Sequence, residues 1–157
     1  MGFSLDTYSE QETAQLGHYF GKNLSRGDVV LINGELGTGK TALIRGITAG
    51  AGGDAAIVRS PSYTYLNIYQ AERFMIYHLD VYLLECYDDL LELGIEEFWD
   101  QGLMLIEWGG RFADNLPLDY WQINLEYLSE ANARHIDIIP PPNRMVALEE
   151  LKNAWQS

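Results

Sequence analysis

The sequence predicts an α/β fold: a three-layer sandwich whose central sheet is mixed, mostly parallel and extended by an antiparallel hairpin. Three observations predict it. Val29-Val30-Leu31-Ile32 is a short β-branched apolar run, as expected of a strand buried on both faces, and it leads through a glycine-rich turn into a stretch with helical apolar spacing. Leu103-Met104-Leu105-Ile106 is a second such run. The aromatic segments Tyr63 to Tyr69 and Phe74 to Asp80 are separated only by Gln70 to Arg73, a hairpin spacing.

Each element has its own signal. Ser9 and Glu12 stand at capping-box spacing, and Leu16, Phe20 and Leu24 recur every four residues, so 9–25 reads as an amphipathic helix. The strand at 28–33 follows. From about Thr41 a helix carries Leu43, Ile44 and Ile47 on one face and closes at Gly50, Gly52 and Gly53. Beyond the hairpin, 83–93 is acidic with helical apolar spacing and stops at Gly94, and 95–99 reads as a short acidic helix. The run at 103–106 is followed by a strand pair at 120–127 and 134–139. Pro140, Pro141 and Pro142 break the chain before a closing helix from about Val146. No repeat, low-complexity tract or linker interrupts the sequence, so residues 1–157 read as a single domain.

Composition narrows the function. Of 157 residues, 47% are hydrophobic, enough for a substantial core, while 10 Lys and Arg against 23 Asp and Glu give a net charge of −13. Such a surface repels nucleic-acid backbones, and an anionic ligand needs a local nest of donors. The single cysteine, Cys86, excludes an internal disulfide and a cysteine-based zinc site, and it has no activating base nearby in sequence. No apolar run approaches the ~18 residues of a membrane span, and the N-terminus lacks the pattern of a signal peptide. A cytoplasmic protein without membrane contact is expected.

Gly34-Glu35-Leu36-Gly37-Thr38-Gly39-Lys40-Thr41 matches the phosphate-loop pattern G-x-x-x-x-G-K-[ST], with a strand before it and a helix after it. Glycines let successive amides converge on one concavity, and the helix start adds its positive end. The expected architecture is therefore P-loop NTPase-like, with the phosphates of a nucleotide cradled by Glu35, Leu36, Gly37, Thr38, Gly39, Lys40, Thr41 and Ala42. Lys40 would meet the β- and γ-phosphates and the Thr41 hydroxyl would meet Mg²⁺. Two carboxylates end apolar strand-like runs: Asp80 after Phe74 to Leu79, and Glu107 after Leu103 to Ile106. In an open parallel sheet, ligands bind beyond the carboxyl ends of strands, so Glu107 is the better placed and Asp80 the second candidate. Lys40, Asp80 and Glu107 are the expected catalytic residues. Ser60-Pro61-Ser62-Tyr63-Thr64 supplies hydroxyls at Ser60, Ser62 and Thr64, as a γ-phosphate-sensing loop does, although Ser-Pro starts a strand turn equally well. Trp108 taken alone is a packing residue. His18, His78 and His135 lack metal-ligand spacing and read as structural or surface groups.

These residues together resemble the bacterial TsaE family. The loop, Val58-Arg59-Ser60-Pro61-Ser62-Tyr63-Thr64, Tyr77-His78-Leu79-Asp80-Val81-Tyr82, Leu93-Gly94-Ile95-Glu96-Glu97 and Ile106-Glu107-Trp108 occur in the family's order across roughly 9–139. Ser62 stands where the family usually has Thr, and Leu83 where it usually has Arg. The resemblance implies an ATP hydrolase, weak alone and stimulated by partners. It implies that Thr41 and Glu107 hold Mg²⁺, with Asp80 near the metal or the attacking water. Ser60, Ser62 and Thr64 then form a switch-like loop, and Trp108 lies near the nucleotide. It further implies work with TsaB and TsaD in forming threonylcarbamoyladenosine at tRNA position 37, where ATP hydrolysis supports multiple turnover and tRNA is met only through the partners.

Two other functions compete. A small-molecule kinase needs a lid rich in arginine, but Arg26, Arg45, Arg59, Arg73, Arg111, Arg134 and Arg144 are scattered. An ATP-gated adaptor would dock through the acidic stretch 83–99, with Tyr87 and Phe98 exposed; packing of that stretch on the sheet is the plainer reading. No Asn-Lys-x-Asp guanine motif occurs. Ser9–Glu12 and Ser129–Arg134 are the candidate flanks of an adenine. Arg111 and Arg134 are the candidates for a charge-stabilising arginine, unless a partner supplies it.

Overall fold

In the computed structural model, which describes residues 2–61 and 64–157, the strands are Phe3–Thr7 (β1), Val29–Asn33 (β2), Leu66–Gln70 (β3), Met75–Asp80 (β4), Gly102–Glu107 (β5), Trp121–Tyr127 (β6) and Arg134–Ile139 (β7). The helices are Glu10–Lys22 (α1), Lys40–Gly50 (α2), Tyr87–Leu91 (α3) and Met145–Gln156 (α4), with 3₁₀ turns at Ala55–Ile57, Ile95–Glu97 and Gly109–Asn115. The strands form one sheet in the order β1-β7-β6-β2-β5-β4-β3. The pairs β6–β2, β2–β5 and β5–β4 are parallel, while β1–β7, β7–β6 and β3–β4 are antiparallel. Only β3 and β7 therefore run against the other five, which makes the sheet mixed and mostly parallel by direction.

Side-chain alternation assigns the layers. Val30, Ile32, Ile76, Leu103, Leu105, Trp121, Ile123, Ile136 and Ile138 face one core with Leu16 and Phe20 of α1, Leu43, Ile44 and Ile47 of α2, and Leu148 and Leu151 of α4. Val29, Leu31, Tyr77, Leu79, Met104 and Ile106 face the other core with Leu90, Ile95 and Phe112. The second layer is thin, made of α3 and short 3₁₀ turns. It packs on β2, β5 and β4, while β6, β7 and β1 turn Gln122, Asn124, His135, Asp137 and Asp6 outward.

Four local expectations are corrected. The helix expected over 83–93 occupies only Tyr87–Leu91, because the Asp89 carboxylate accepts the amides of Glu85 (3.1 Å) and Cys86 (3.3 Å) and so fixes the start late. The helix expected over 95–99 is a single 3₁₀ turn. The hairpin's first strand is expected from Tyr63, which lies outside the described residues; among the described ones it runs from Leu66, since Tyr65 has φ 65°, which breaks an extended run. Tyr87 and Phe98 are half-buried, not exposed: Phe98 stacks on Tyr77 at 4.4 Å and Tyr87 packs at 6.1 Å from Phe112. The cap of α1 stands as expected on one side, where Ser9 Oγ accepts the Glu12 amide at 3.1 Å, but Glu12 reaches the Tyr8 amide rather than that of Ser9.

Among the described residues no helix is long and apolar enough to cross a membrane. What the architecture positions is the end of the sheet where β2, β4 and β5 all finish. α2 starts there, on the same face as the larger core.

Candidate nucleotide site

The turn from β2 into α2 is built by left-handed glycines. Gly37 has φ 81° and Gly39 φ 100°, a region that side chains with a Cβ rarely enter. The loop is braced from outside. The Tyr127 hydroxyl donates to the Leu36 carbonyl, and Arg134 donates to the carbonyls of Gly37 and Thr38, each at 3.1 Å. The Arg134 guanidinium also lies over the Tyr127 ring at 4.7 Å. Tyr127 and Arg134 thus take up the carbonyls of Leu36, Gly37 and Thr38, and Gly37 and Gly39 line a cleft of about 280 Å³.

Opposite the loop stand the strand-end carboxylates. β4 and β5 are parallel and in register, so Asp80 sits beside Glu107. Counting back by two from each, His78 and Ile76, and Leu105 and Leu103, share their face, which is the face that α2 covers. Lys40 opens α2 and is 6% exposed. Its ammonium donates to the carbonyls of Gly34 and, at 3.0 Å, Glu35, and it lies 4.6 Å from the centre of the Trp108 ring. Burial holds the Lys40 amine below its usual value, against the opposing pull of Glu107, Asp80 and Glu35. Burial raises the Asp80 carboxyl; the Tyr82 amide, 3.0 Å from Asp80 Oδ1, opposes this, and Glu107 adds to it. Glu107 is 3% exposed, and its Oε2 lies 2.6 Å from His78 Nε2.

Trp108 has φ 64°, rare for a bulky residue, and its amide donates to the Ile32 carbonyl at 2.8 Å. This conformation sets the ring at the cleft between Lys40 and Tyr82, the latter 4.7 Å away. Such strain is characteristic of sites where position matters more than comfort.

Most of the sequence candidates converge. Leu36, Gly37, Gly39, Lys40, Thr41, Ala42, Ser60, Asp80, Glu107 and Trp108 all line the cleft. Glu35 and Thr38 support it from behind: Thr38 is buried and its hydroxyl donates to the Glu35 carbonyl at 2.7 Å. Thr64 lies off the cleft, donating to Asn67 Oδ1 at 3.2 Å. Ser62 lies outside the described residues. Ser9, Glu10 and Thr13 meet Asn132 and Arg134 across a smaller recess that adjoins Gly37, Thr38 and Gly39, which brings both expected adenine flanks to one place.

Two arginines are engaged elsewhere. Arg134 braces the loop, and Arg111 donates to the carbonyls of Val81 and Tyr82, each at 2.8 Å, clamping the turn after Asp80. Neither guanidinium projects as a mobile finger. Sequence reasoning missed His78 and Tyr69, which stand behind Glu107. The available signal was alternation: His78 shares a strand face with Asp80.

The donor set suits a hard cation. Among the described residues no group of three or more His, Cys, Asp or Glu is arranged to hold a metal unaided. Two carboxylates and the Thr41 hydroxyl fit Mg²⁺, which binds through one or two protein carboxylates together with phosphate oxygens and water.

Residues 7–136 match the family model described as "Threonylcarbamoyl adenosine biosynthesis protein TsaE". Among curated relatives, a tRNA threonylcarbamoyladenosine biosynthesis protein TsaE from Rickettsia conorii is 38% identical over 131 residues, covering 83% of this chain and 74% of its own. The protein of the same name from Bacillus subtilis is 33% identical over 147 residues, covering 92% and 90%. A crystal structure of YdiB from Bacillus subtilis superposes with a TM-score of 0.80 at 26% identity, over 98% of this chain and 96% of that one.

Proposed function

This chain belongs to the TsaE family of threonylcarbamoyl adenosine biosynthesis proteins, and from that premise we propose that it is a Mg²⁺-dependent ATPase acting with TsaB and TsaD in the threonylcarbamoyladenosine modification of tRNA. The observation that carries the reading is one cleft lined by the glycine loop, Lys40, Thr41, Ser60, Asp80 and Glu107. Few other chemistries need a nest of amides, a buried ammonium and paired strand-end carboxylates in one place.

The roles follow from the chemistry of each group. The amides of the loop and the start of α2 receive phosphate oxygens. Lys40 is desolvated before any ligand arrives, so a triphosphate supplies the negative partner that its surroundings only half provide. Thr41 and Glu107 would hold Mg²⁺, which when bound would offset the negative charge of the phosphates during transfer. Asp80, held by the Tyr82 amide and the Arg111 clamp, orients the attacking water. The recess between Ser9–Thr13 and Asn132–Arg134 takes the base. With 23 acidic residues against 10 basic ones, the chain meets tRNA through its partners rather than by itself.

The test is ATP turnover by the purified chain with and without TsaB–TsaD, alongside single-turnover and multiple-turnover tRNA modification. Slow hydrolysis that partners accelerate, with multiple turnover requiring this chain, supports the reading. Absence of Mg-ATP binding by calorimetry overturns it. ATP-dependent partner binding that persists fully when Glu107→Gln has stopped turnover points instead to a nucleotide-gated adaptor. A kinase reading requires a phosphoryl acceptor in place of water, and the engagement of Arg111 and Arg134 with main-chain carbonyls argues against an arginine lid built from them.

A further inference from the structure

Behind the cleft runs a buried polar chain to which the nucleotide chemistry assigns no role. His78 is fully buried, with Nε2 2.6 Å from Glu107 Oε2 and Nδ1 2.8 Å from the Tyr69 hydroxyl. His78 thus links the Glu107 carboxylate, through Nε2, to the Tyr69 hydroxyl, through Nδ1. The Tyr69 hydroxyl also donates to the Arg59 carbonyl at 3.0 Å, and that carbonyl, with two lone pairs, accepts Asn67 Nδ2 at 3.0 Å as well. The Tyr69 oxygen in turn accepts the Arg59 amide at 3.2 Å. Arg59 directly precedes Ser60, which lines the cleft. The chain thus joins two walls of one site: a carboxylate at the end of β5 and the main chain that carries Ser60.

Simple packing does not call for this arrangement. An apolar residue at position 78 would fill the core without needing two polar partners, whereas a half-satisfied buried network costs stability. What the chain achieves is orientation. His78 takes Oε2, so the carboxylate presents its other oxygen toward the cleft it lines.

We propose that His78 and Tyr69 are positioning residues, which hold the Glu107 carboxylate in the orientation that meets Mg²⁺ and tie it to the main chain bearing Ser60. This rests on the reading of Glu107 as a Mg²⁺ partner. Groups that orient a ligating carboxylate typically affect metal affinity by roughly 10- to 100-fold when removed.

The experiment is a Mg²⁺ titration of ATP binding to the full chain, followed by calorimetry and repeated in EDTA, for His78→Gln, His78→Asn and Tyr69→Phe. A glutamine amide reaches the position of Nε2 and can still donate to Glu107, whereas an asparagine amide reaches only toward Tyr69. The expected Mg²⁺ midpoint stays within about threefold of the unaltered chain for Gln and rises about 10-fold or more for Asn. It rises by a smaller factor for Tyr69→Phe, while affinity in EDTA is the same for all. Equal midpoints for Gln and Asn, or shifts of the same size in EDTA, would overturn the relay, because a role confined to packing treats the two amides alike. Where Asn does not fold, an unchanged midpoint for Tyr69→Phe overturns it as well. Failure of the unaltered chain to bind Mg-ATP is a different result, which removes the functional reading and the relay with it.

Discussion

Asp80 and Glu107 are register partners on neighbouring parallel strands, so two carboxylates end side by side beneath the same helix start. Neither has an arginine to itself: Arg111 serves the carbonyls beyond Asp80, and Glu107 leans on His78. The nearby cation is Lys40, which loop carbonyls already engage. A site so arranged is short of positive charge, which a bound Mg²⁺ would supply.

The raised Asp80 carboxyl makes this testable through stability. Its folded-state value exceeds the usual aspartate value of 3.8, chiefly through burial, so between the two values the native chain binds more protons than the unfolded chain. Stability attributable to Asp80 is therefore present at low pH and falls as pH rises through the raised value. Asp80→Asn keeps an acceptor for the Tyr82 amide and removes the charge. The nucleotide-free variant is expected to melt above the unaltered chain at pH 7, with the gap closing as pH falls toward 3.8. ATP binding is expected to persist while turnover drops by about 100-fold or more. A variant that turns over at the normal rate would take Asp80 out of the chemistry.

Lys40→Met separates binding from folding in the same way. The ammonium is desolvated, but it also bonds the Gly34 and Glu35 carbonyls and is the cation near Asp80 and Glu107. An apolar chain is therefore expected to lower the melting temperature of the nucleotide-free fold only modestly, relief of desolvation offsetting part of the lost contacts. A charge-assisted hydrogen bond to phosphate contributes about 1.5–3 kcal/mol, so ATP affinity is expected to fall roughly 10- to 100-fold. Calorimetry paired with thermal melts checks both halves, and a large loss of melting temperature with affinity intact would reverse the assignment.

What the sequence made legible was whatever depends on neighbours in the chain. Gly37, Gly39, Lys40 and Thr41 form their loop from local torsions and a helix start, and Asp80 and Glu107 follow from where two apolar runs end. What it hid depends on distant partners. Phe3-Ser4-Leu5-Asp6-Thr7 alternates as a strand should, yet as an edge strand it is completed only by β7 near the other end of the chain. The stretch 83–93 has helical apolar spacing, but Asp89 takes the amides of Glu85 and Cys86 and starts the helix only at Tyr87. His78 looked like an ordinary histidine because its meaning lies in Tyr69 and Glu107, which only the β3–β4–β5 pairing brings to it.

The contact between α1 and α2 gives a prediction about the scaffold. A Cβ on Gly46 would stand 2.0 Å from the Ala14 carbonyl oxygen, and one on Gly17 2.3 Å from that of Leu43. Both obstacles are backbone, so neither can be relieved by a rotamer change. Gly46→Ala is expected to cost about 1–3 kcal/mol or more, through displacement of one helix from the other. Because α2 begins at Lys40, ATP affinity should weaken along with the urea midpoint. A substitution that left both unchanged would show that the helices do not need this close approach.

The last prediction concerns the edge of the sheet. His135 on β7 lies 2.7 Å from Asp6 of β1 through Nδ1 and 3.1 Å from Asp137 through Nε2. The hydrogen bond to Asp6 is the main cause that raises its imidazole above the usual histidine value of 6.5, with Asp137 adding to it. A base whose folded value is raised stabilises the fold fully below its unfolded value and loses that contribution as pH climbs through the folded one. The side chain is 34% exposed, so water screens the pair and the effect is expected to stay below about 1 kcal/mol. The difference in melting temperature between the unaltered chain and His135→Gln should accordingly be widest near pH 5.5, narrow toward pH 8.5, and shrink in added salt. A difference that ignored both pH and salt would mean that His135 holds β1 through neutral hydrogen bonds alone.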